Sequence, residues 1–141
     1  MSNIEAAIGC AQLERVDELI AAKRRIFEAY RERLRDMPLT MNPEPSGCVN
    51  GYWMPTVVVD RDVPFDREAL LTAFGAEEID GRSFFWPLSR LPMYEPRPDH
   101  RVANGLCERA VHLPSYHDLS ASDIDRVCAV VRAAVQAGAT S

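Results

Sequence analysis

The side chains able to do chemistry are few and scattered. The histidines are His100, His112 and His117, and only the last two are close, with Pro114 between them. No helical histidine pair and no carboxylate stands at ligand spacing, so no metal site is expected. The four cysteines, Cys10, Cys48, Cys107 and Cys128, form no C-x-x-C pair, which leaves out the usual zinc and dithiol motifs. Ser89 and Ser115 flank aromatic and proline residues without a G-x-S-x-G elbow. Gly75, Gly81 and Gly105 are isolated, so neither phosphate-cradling glycine motif is present. What remains is Arg82 to Tyr94, R-S-F-F-W-P-L-S-R-L-P-M-Y. Arginines and aromatics in one loop suit a ligand with a flat ring and anionic phosphates, because a guanidinium grips phosphate with two parallel bonds. Phe84, Phe85 and Trp86 also suit the core of a short strand, the reading that composition alone favours.

The elements that must position this segment follow from periodicity. From Ile4 to about Met37 there is no proline and only Gly9, and apolar residues recur at Leu13, Val16, Leu19, Ile20, Ile26, Phe27, Tyr30 and Leu34. That spacing predicts one long helix, opened by Ser2 and Glu5 at capping-box spacing. Ala6 to Ala11 has no clear polar face, so this stretch wants burial on several sides. A helix of roughly 50 Å is long for a domain of this size, so part of it is expected to pack outside the domain. Pro38, Pro43, Pro45 and Gly47 make a loop, and Thr56 to Val59 reads as a buried strand. Asp66 caps a short helix through Phe74, with Gly75 as its stop. Short strands are expected around Glu77–Ile79 and Arg82–Trp86. Pro87 to Pro98, with four prolines, is irregular. Val102–Arg109 reads as a helix, Val111–Leu113 as a strand, and Ser120 opens a final helix to about Ala137. The order predicts an α+β two-layer domain, a small antiparallel or mixed sheet packed by helices. Residues 1–37 form the long helix, and residues 38–141 form a single unit with it.

The chain has 141 residues, 16 basic against 21 acidic, and a net charge of −5. That balance argues against a nucleic-acid partner. The basic run Lys23-Arg24-Arg25 and Arg31, Arg33, Arg35 alternates with Glu28, Glu32 and Asp36, as a solvated helix face does. No apolar stretch reaches the ~18–20 residues needed to span a bilayer and no signal-peptide pattern is present. A reduced, cytoplasmic protein is expected. Cys10 and Cys128 fall within apolar helical patterns, where a thiol acts as a small hydrophobe.

Met1-Ser2-Asn3-Ile4-Glu5-Ala6-Ala7-Ile8-Gly9, followed by Ala11-Gln12-Leu13, resembles the motif M-[ST]-[ND]-I-x-A-A-[IL]-G-x-x-Q-L of the DegT/StrS-type sugar aminotransferases. Ile79-Asp80-Gly81-Arg82, Phe84-Phe85-Trp86-Pro87-Leu88, Leu113-Pro114-Ser115-Tyr116 and the D-L-S-x-x-D-I-D-R-V run ending at Val127 occur in that family's order. The F-F-W-P-L-S and L-P-S-Y-H-D variants look most like the perosamine-synthase-like branch.

The resemblance implies the C-terminal domain of a fold-type I pyridoxal-phosphate enzyme. Such enzymes run ~350–400 residues, two or three ordinary domain lengths. Their N-terminal large domain carries the cofactor lysine, and the one lysine here, Lys23, matches no Schiff-base motif. The chain thus resembles a family member cut at, or started from, an internal methionine, with the large domain or a homodimer partner as the missing neighbour of its first helix. Alone, it is expected to hold no cofactor and to lack transaminase activity. The intact enzyme is expected to use pyridoxal phosphate to aminate a nucleotide-linked 4-keto-6-deoxy sugar. By resemblance, Arg82 and Arg90 contact phosphate or ribose, Phe84 and Trp86 bound the sugar, and Ser89 hydrogen-bonds it. Ser89 stands where many relatives carry histidine. A non-catalytic nucleotide-sugar-binding module and a dimerisation or interaction module are the alternatives.

Overall fold

The computed structural model describes residues 2–139; Met1, with which the motif opens, lies outside them. Helix α1 (Asn3–Leu13) starts at the expected capping box, with the Glu5 amide donating to Ser2 Oγ and the Ser2 amide donating to the Glu5 carboxylate at 2.6 Å. Helix α2 (Val16–Leu34) follows after a break. The single helix predicted to about Met37 is therefore two. At Arg15 the backbone leaves helical geometry (φ −110°, ψ 5°). Its amide tightens onto Gln12 O at 3.2 Å, while its guanidinium pairs with Glu18 at 2.8 Å. The break lets α2 bury Ile26, Phe27, Tyr30 and Leu34, whereas α1 buries no residue and leaves Ile4 and Leu13 exposed at 74% and 70%. Cys10, read as part of an apolar pattern, is exposed with it.

The remaining elements are β1 (Leu39–Met41), β2 (Thr56–Val59), α3 (Arg67–Ala76), β3 (Arg82–Ser83), a 3-10 turn at Leu88–Arg90, α4 (Arg101–Arg109), β4 (Ala110–His112) and α5 (Ala121–Ala139). The four strands form one antiparallel sheet in the order β1-β2-β4-β3. Strand β1 falls where the prolines and Gly47 point to a loop, because a three-residue edge strand next to Pro38 has no local signature. Its pairing with β2, Leu39 opposite Val59, is what makes it a strand. The strand expected at Glu77–Ile79 is instead the turn that caps α3. Gly75 lies inside the helix, and Glu78 takes the left-handed conformation (φ 56°) that glycine usually fills. The Ile79 amide then returns to Phe74 O at 2.8 Å, closing the helix end. Asp66 caps α3 as predicted, accepting from the Glu68 and Ala69 amides.

Strand residues alternate between faces. Val57, Val59 and Val111 point into a core shared with Tyr30 and Leu34 of α2, Leu70 and Phe74 of α3, and Ile124, Val127, Val131 and Val135 of α5. The helices hold one another by charge as well. Arg33 of α2 pairs with Asp125 at 2.5 Å, and Arg132 of α5 pairs with Asp36. Arg31 and Arg35 pair with Glu28 and Glu32 one turn earlier, the solvated face read from the sequence. Gly81 is required by this core: a Cβ there would lie 2.2 Å from Phe74 Cδ2.

Residues 42–54 close onto α2. The Tyr52 ring stacks on Phe27 with centroids 3.6 Å apart and planes 4° from parallel, and Arg24 lies over it at 5.2 Å. Tyr52 is held at φ 48°, a strained value for a bulky residue. Glu44 collects the Arg24 guanidinium at 2.8 Å, the Asn50 amide at 2.9 Å and the Tyr52 hydroxyl at 3.1 Å. The Arg24 bond, then the Asn50 amide, pull the Glu44 carboxyl down to a pKa of about 2.

Candidate functional site: a groove of aromatics and arginines

The sheet's second face carries Thr56 and His112, directly opposite each other on β2 and β4. His112 is only 6% exposed; its Nδ1 is 2.9 Å from Thr56 Oγ1, and Nε2 has no hydrogen-bond partner among the described residues. Burial lowers its pKa, favouring the neutral ring. The Phe84 and Phe85 rings lie against it with centroids 5.2 and 5.0 Å away. From this footing the chain runs outward. Only Arg82 and Ser83 pair with β4, and one further bond joins the Phe84 amide to Ala110 O at 3.2 Å. Phe85 and Trp86 are then exposed at 60% and 49%. The aromatic run is therefore not the core of a strand. It is an irregular segment that follows β3, keeps Phe84 half-buried and leaves Phe85 and Trp86 exposed.

Trp86, Ser89 and Arg90 line an open groove of about 880 Å³ together with Leu91, Tyr94 and Arg97. Asn104 of α4 forms part of its wall. Three of the five residues inferred from the resemblance thus come together. Phe84 stands behind them against His112, and Arg82 lies outside the groove, paired with Asp80 at 2.9 Å. Arg97 and Asn104 were missed. An arginine between Pro96 and Pro98, outside any helical period, was a readable sign; Asn104 on α4 gave none.

Both arginines that line the groove already have a carboxylate. Arg90 reaches Glu108 at 2.5 Å and Asn104 Oδ1 at 3.0 Å, and Arg97 reaches Asp99 at 3.1 Å. Exposed pairs of this kind contribute ~0–1 kcal/mol, so a phosphate can replace the carboxylate at small energetic loss. Two guanidiniums also lie at cation–π distance from the Trp86 ring, Arg67 at 5.1 Å and Arg90 at 5.6 Å. The arrangement offers flat apolar surface, exchangeable cations and the Ser89 hydroxyl, which suits binding more than bond-making.

Lys23 lines a second hollow of about 370 Å³ with Glu78, Asp80, Tyr116 and Arg126. Its ammonium donates to the Ser115 carbonyl oxygen and lies 3.1 Å from Ser115 Oγ, and burial lowers its pKa. The hollow's guanidinium, Arg126, donates to Glu77 O at 2.8 Å and stands beside Asp123. The amine is engaged and the one cation available to a phosphate is tied to the protein. Among the described residues, those of this hollow therefore do not fit a pyridoxal phosphate site. Among the described residues no group of three or more His, Cys, Asp or Glu side chains could hold a metal, and no helix is long and apolar enough to cross a membrane.

Comparison with known proteins shows the family. A GDP-perosamine synthase from Vibrio cholerae is 36% identical over 135 residues, which cover 94% of this chain and 37% of that protein. Among solved structures, the aminotransferase TlmJ from Streptoalloteichus hindustanus superposes with a TM-score of 0.81 at 28% identity, covering 94% of this chain and 36% of that one. DesI, solved in the presence of its TDP-sugar product, superposes with a TM-score of 0.86 at 26% identity over 99% of this chain and 37% of that one. The chain thus spans little more than a third of the length of the relatives it matches. The profile of one family matches residues 1–132, and on that match the chain belongs to the DegT/DnrJ/EryC1/StrS aminotransferase family, within which it resembles the perosamine-synthase-like branch.

Proposed function

We propose that this chain is the C-terminal small domain of a cytoplasmic, pyridoxal-phosphate-dependent aminotransferase acting on a nucleotide-linked 4-keto-6-deoxy sugar. The groove around Trp86 is the part of the substrate site that it contributes. The observation that carries the reading is the convergence of Trp86, Ser89, Arg90, Tyr94 and Arg97 on one open groove, within a chain whose relatives include a GDP-perosamine synthase. The cofactor supplies the electron sink in the intact enzyme and belongs to the large domain. In this chain Arg90 and Arg97 give up Glu108 and Asp99 to take phosphate oxygens, Trp86 and Tyr94 flank the flat and apolar parts of the ligand, and Ser89 hydrogen-bonds the sugar. Phe84 backs the groove, and Arg82 meets the phosphate or ribose after leaving Asp80. The chain alone binds but does not transaminate.

Titration of the isotope-labelled chain with GDP or a GDP-hexose tests this. Amide shifts confined to residues 82–98 and 101–109 are expected, and an unshifted spectrum counts against the groove. A visible aldimine band on adding pyridoxal phosphate, lost on Lys23→Ala, would overturn the claim of inactivity.

A second reading, an interaction or dimerisation module, draws on the exposed Ile4, Ile8 and Leu13 of α1. Sizing the chain over a range of concentrations separates it from a monomeric binding domain.

A further inference from the structure

We propose that Arg67, on the first turn of α3, is the positioning residue that fixes Trp86 as a wall of the groove. The inference rests on the substrate-site reading for its functional meaning but not for its geometry. Arg67 lies outside the matched motifs and does not line the groove. Its side chain is only 12% exposed, although it belongs to a surface helix. Three contacts account for that. Nη1 donates to the carbonyl oxygen of Cys107, a fully buried residue of α4. Nε and Nη2 donate to Glu68 Oε1 at 3.0 and 2.6 Å. The guanidinium carbon then stands 5.1 Å from the centroid of Trp86.

One planar fork thus ties α3 to α4 and presents its cation to the indole. Helix α4 holds the second cation as well, since Asn104 and Glu108 fix Arg90, which lies 5.6 Å from the same ring. Trp86 itself has no regular structure to hold it. It follows the last bond of the β3 edge and precedes Pro87, which offers no amide donor. An exposed ring in an irregular segment keeps one orientation only if something grips its π-face, and guanidinium is suited to this because it is planar, weakly hydrated and always charged. Lysine cannot reproduce the grip, because its single ammonium cannot reach the Cys107 carbonyl, Glu68 and the ring together.

The experiment uses the whole chain with Trp53→Phe, which leaves Trp86 as the only tryptophan. Arg67→Met keeps the buried stem and removes both fork and charge. In the folded variant, acrylamide quenching of Trp86 is expected to rise about twofold, with a red-shifted emission, while Arg67→Lys lies between Met and the parent. GDP affinity is expected to fall in the same order, by about tenfold for Met. A folded Met variant with unchanged quenching and emission overturns the proposal, as does full recovery by Lys. A measurement on the unaltered chain guards against a variant that does not fold: the Arg67 side-chain protons are expected upfield from the indole ring current, and normal shifts overturn the proposal. If GDP does not bind the parent, the substrate-site reading fails, and the ligand-free quenching and ring-current results still decide the role of Arg67.

Discussion

Residues 42–54 and residues 84–98 are both proline-bearing stretches that leave the same sheet, and they are held in opposite ways. The first turns its polar groups inward. Glu44 satisfies a guanidinium, a hydroxyl and an amide of its own loop and of α2, and Tyr52 is fully covered by Phe27 despite its strained backbone. The second turns its aromatics outward. Its two groove arginines pair with exposed carboxylates that a ligand can displace, Arg90 reaching Asn104 as well, and Trp86 is held between two guanidiniums. A loop whose single carboxylate is used up by bonds within the fold is a structural part; one whose charges are paired replaceably beside exposed rings is equipped to bind.

The largest test of that contrast is Tyr52→Ala, which removes a fully buried ring from the first loop. It is expected to lower stability by about 3–5 kcal/mol in urea unfolding. Tyr94→Ala in the second loop is expected to leave stability within about 0.5 kcal/mol and to weaken GDP binding by about tenfold. If the two variants changed stability equally, the contrast would be lost.

A smaller effect follows from Glu44. Its folded pKa, about 2, lies below the ordinary 4.5, so its contribution is present above pH 4.5 and is lost as the pH falls toward 2. Melting temperature measured across that window should fall more steeply for the parent than for Glu44→Gln, and equal slopes would remove the charge from the account of the first loop. His112 gives the same sign from burial: the neutral ring stabilises above its ordinary pKa of 6.5 and that contribution fades on acidification. The smallest expected change is Glu108→Gln, which frees Arg90 and should tighten GDP binding by about twofold to fivefold, the range set by an exposed ion pair. Unchanged affinity would show that Glu108 does not compete with the ligand.

Most helices could be read from the sequence because their signals are local. Asp66 and Ser120 cap where expected, and Ile124, Val127, Val131 and Val135 mark the buried face of α5. What could not be read depends on distant partners. Leu39–Met41 is a strand only because Val57–Val59 lies beside it. The break at Arg15 leaves the apolar spacing on either side intact, so periodicity passes over it. In the site, Trp86, Ser89 and Arg90 belong to a conspicuous segment, whereas Arg67, Asn104 and Glu108 come from two helices that only the fold brings to it. Arg82 shows the reverse: it is adjacent in sequence and separated in space, turned away to Asp80.

The division between α1 and α2 has a calorimetric consequence. The heat-capacity increment of unfolding tracks apolar surface newly wetted, and α1 buries no residue. An eleven-residue helix without packing is marginal in water. Its melting should therefore appear as a gradual loss of far-ultraviolet ellipticity with almost no heat-capacity increment, before the endotherm of the packed sheet and helices. Whatever covers Ile4, Ile8 and Leu13 would merge the two events into one.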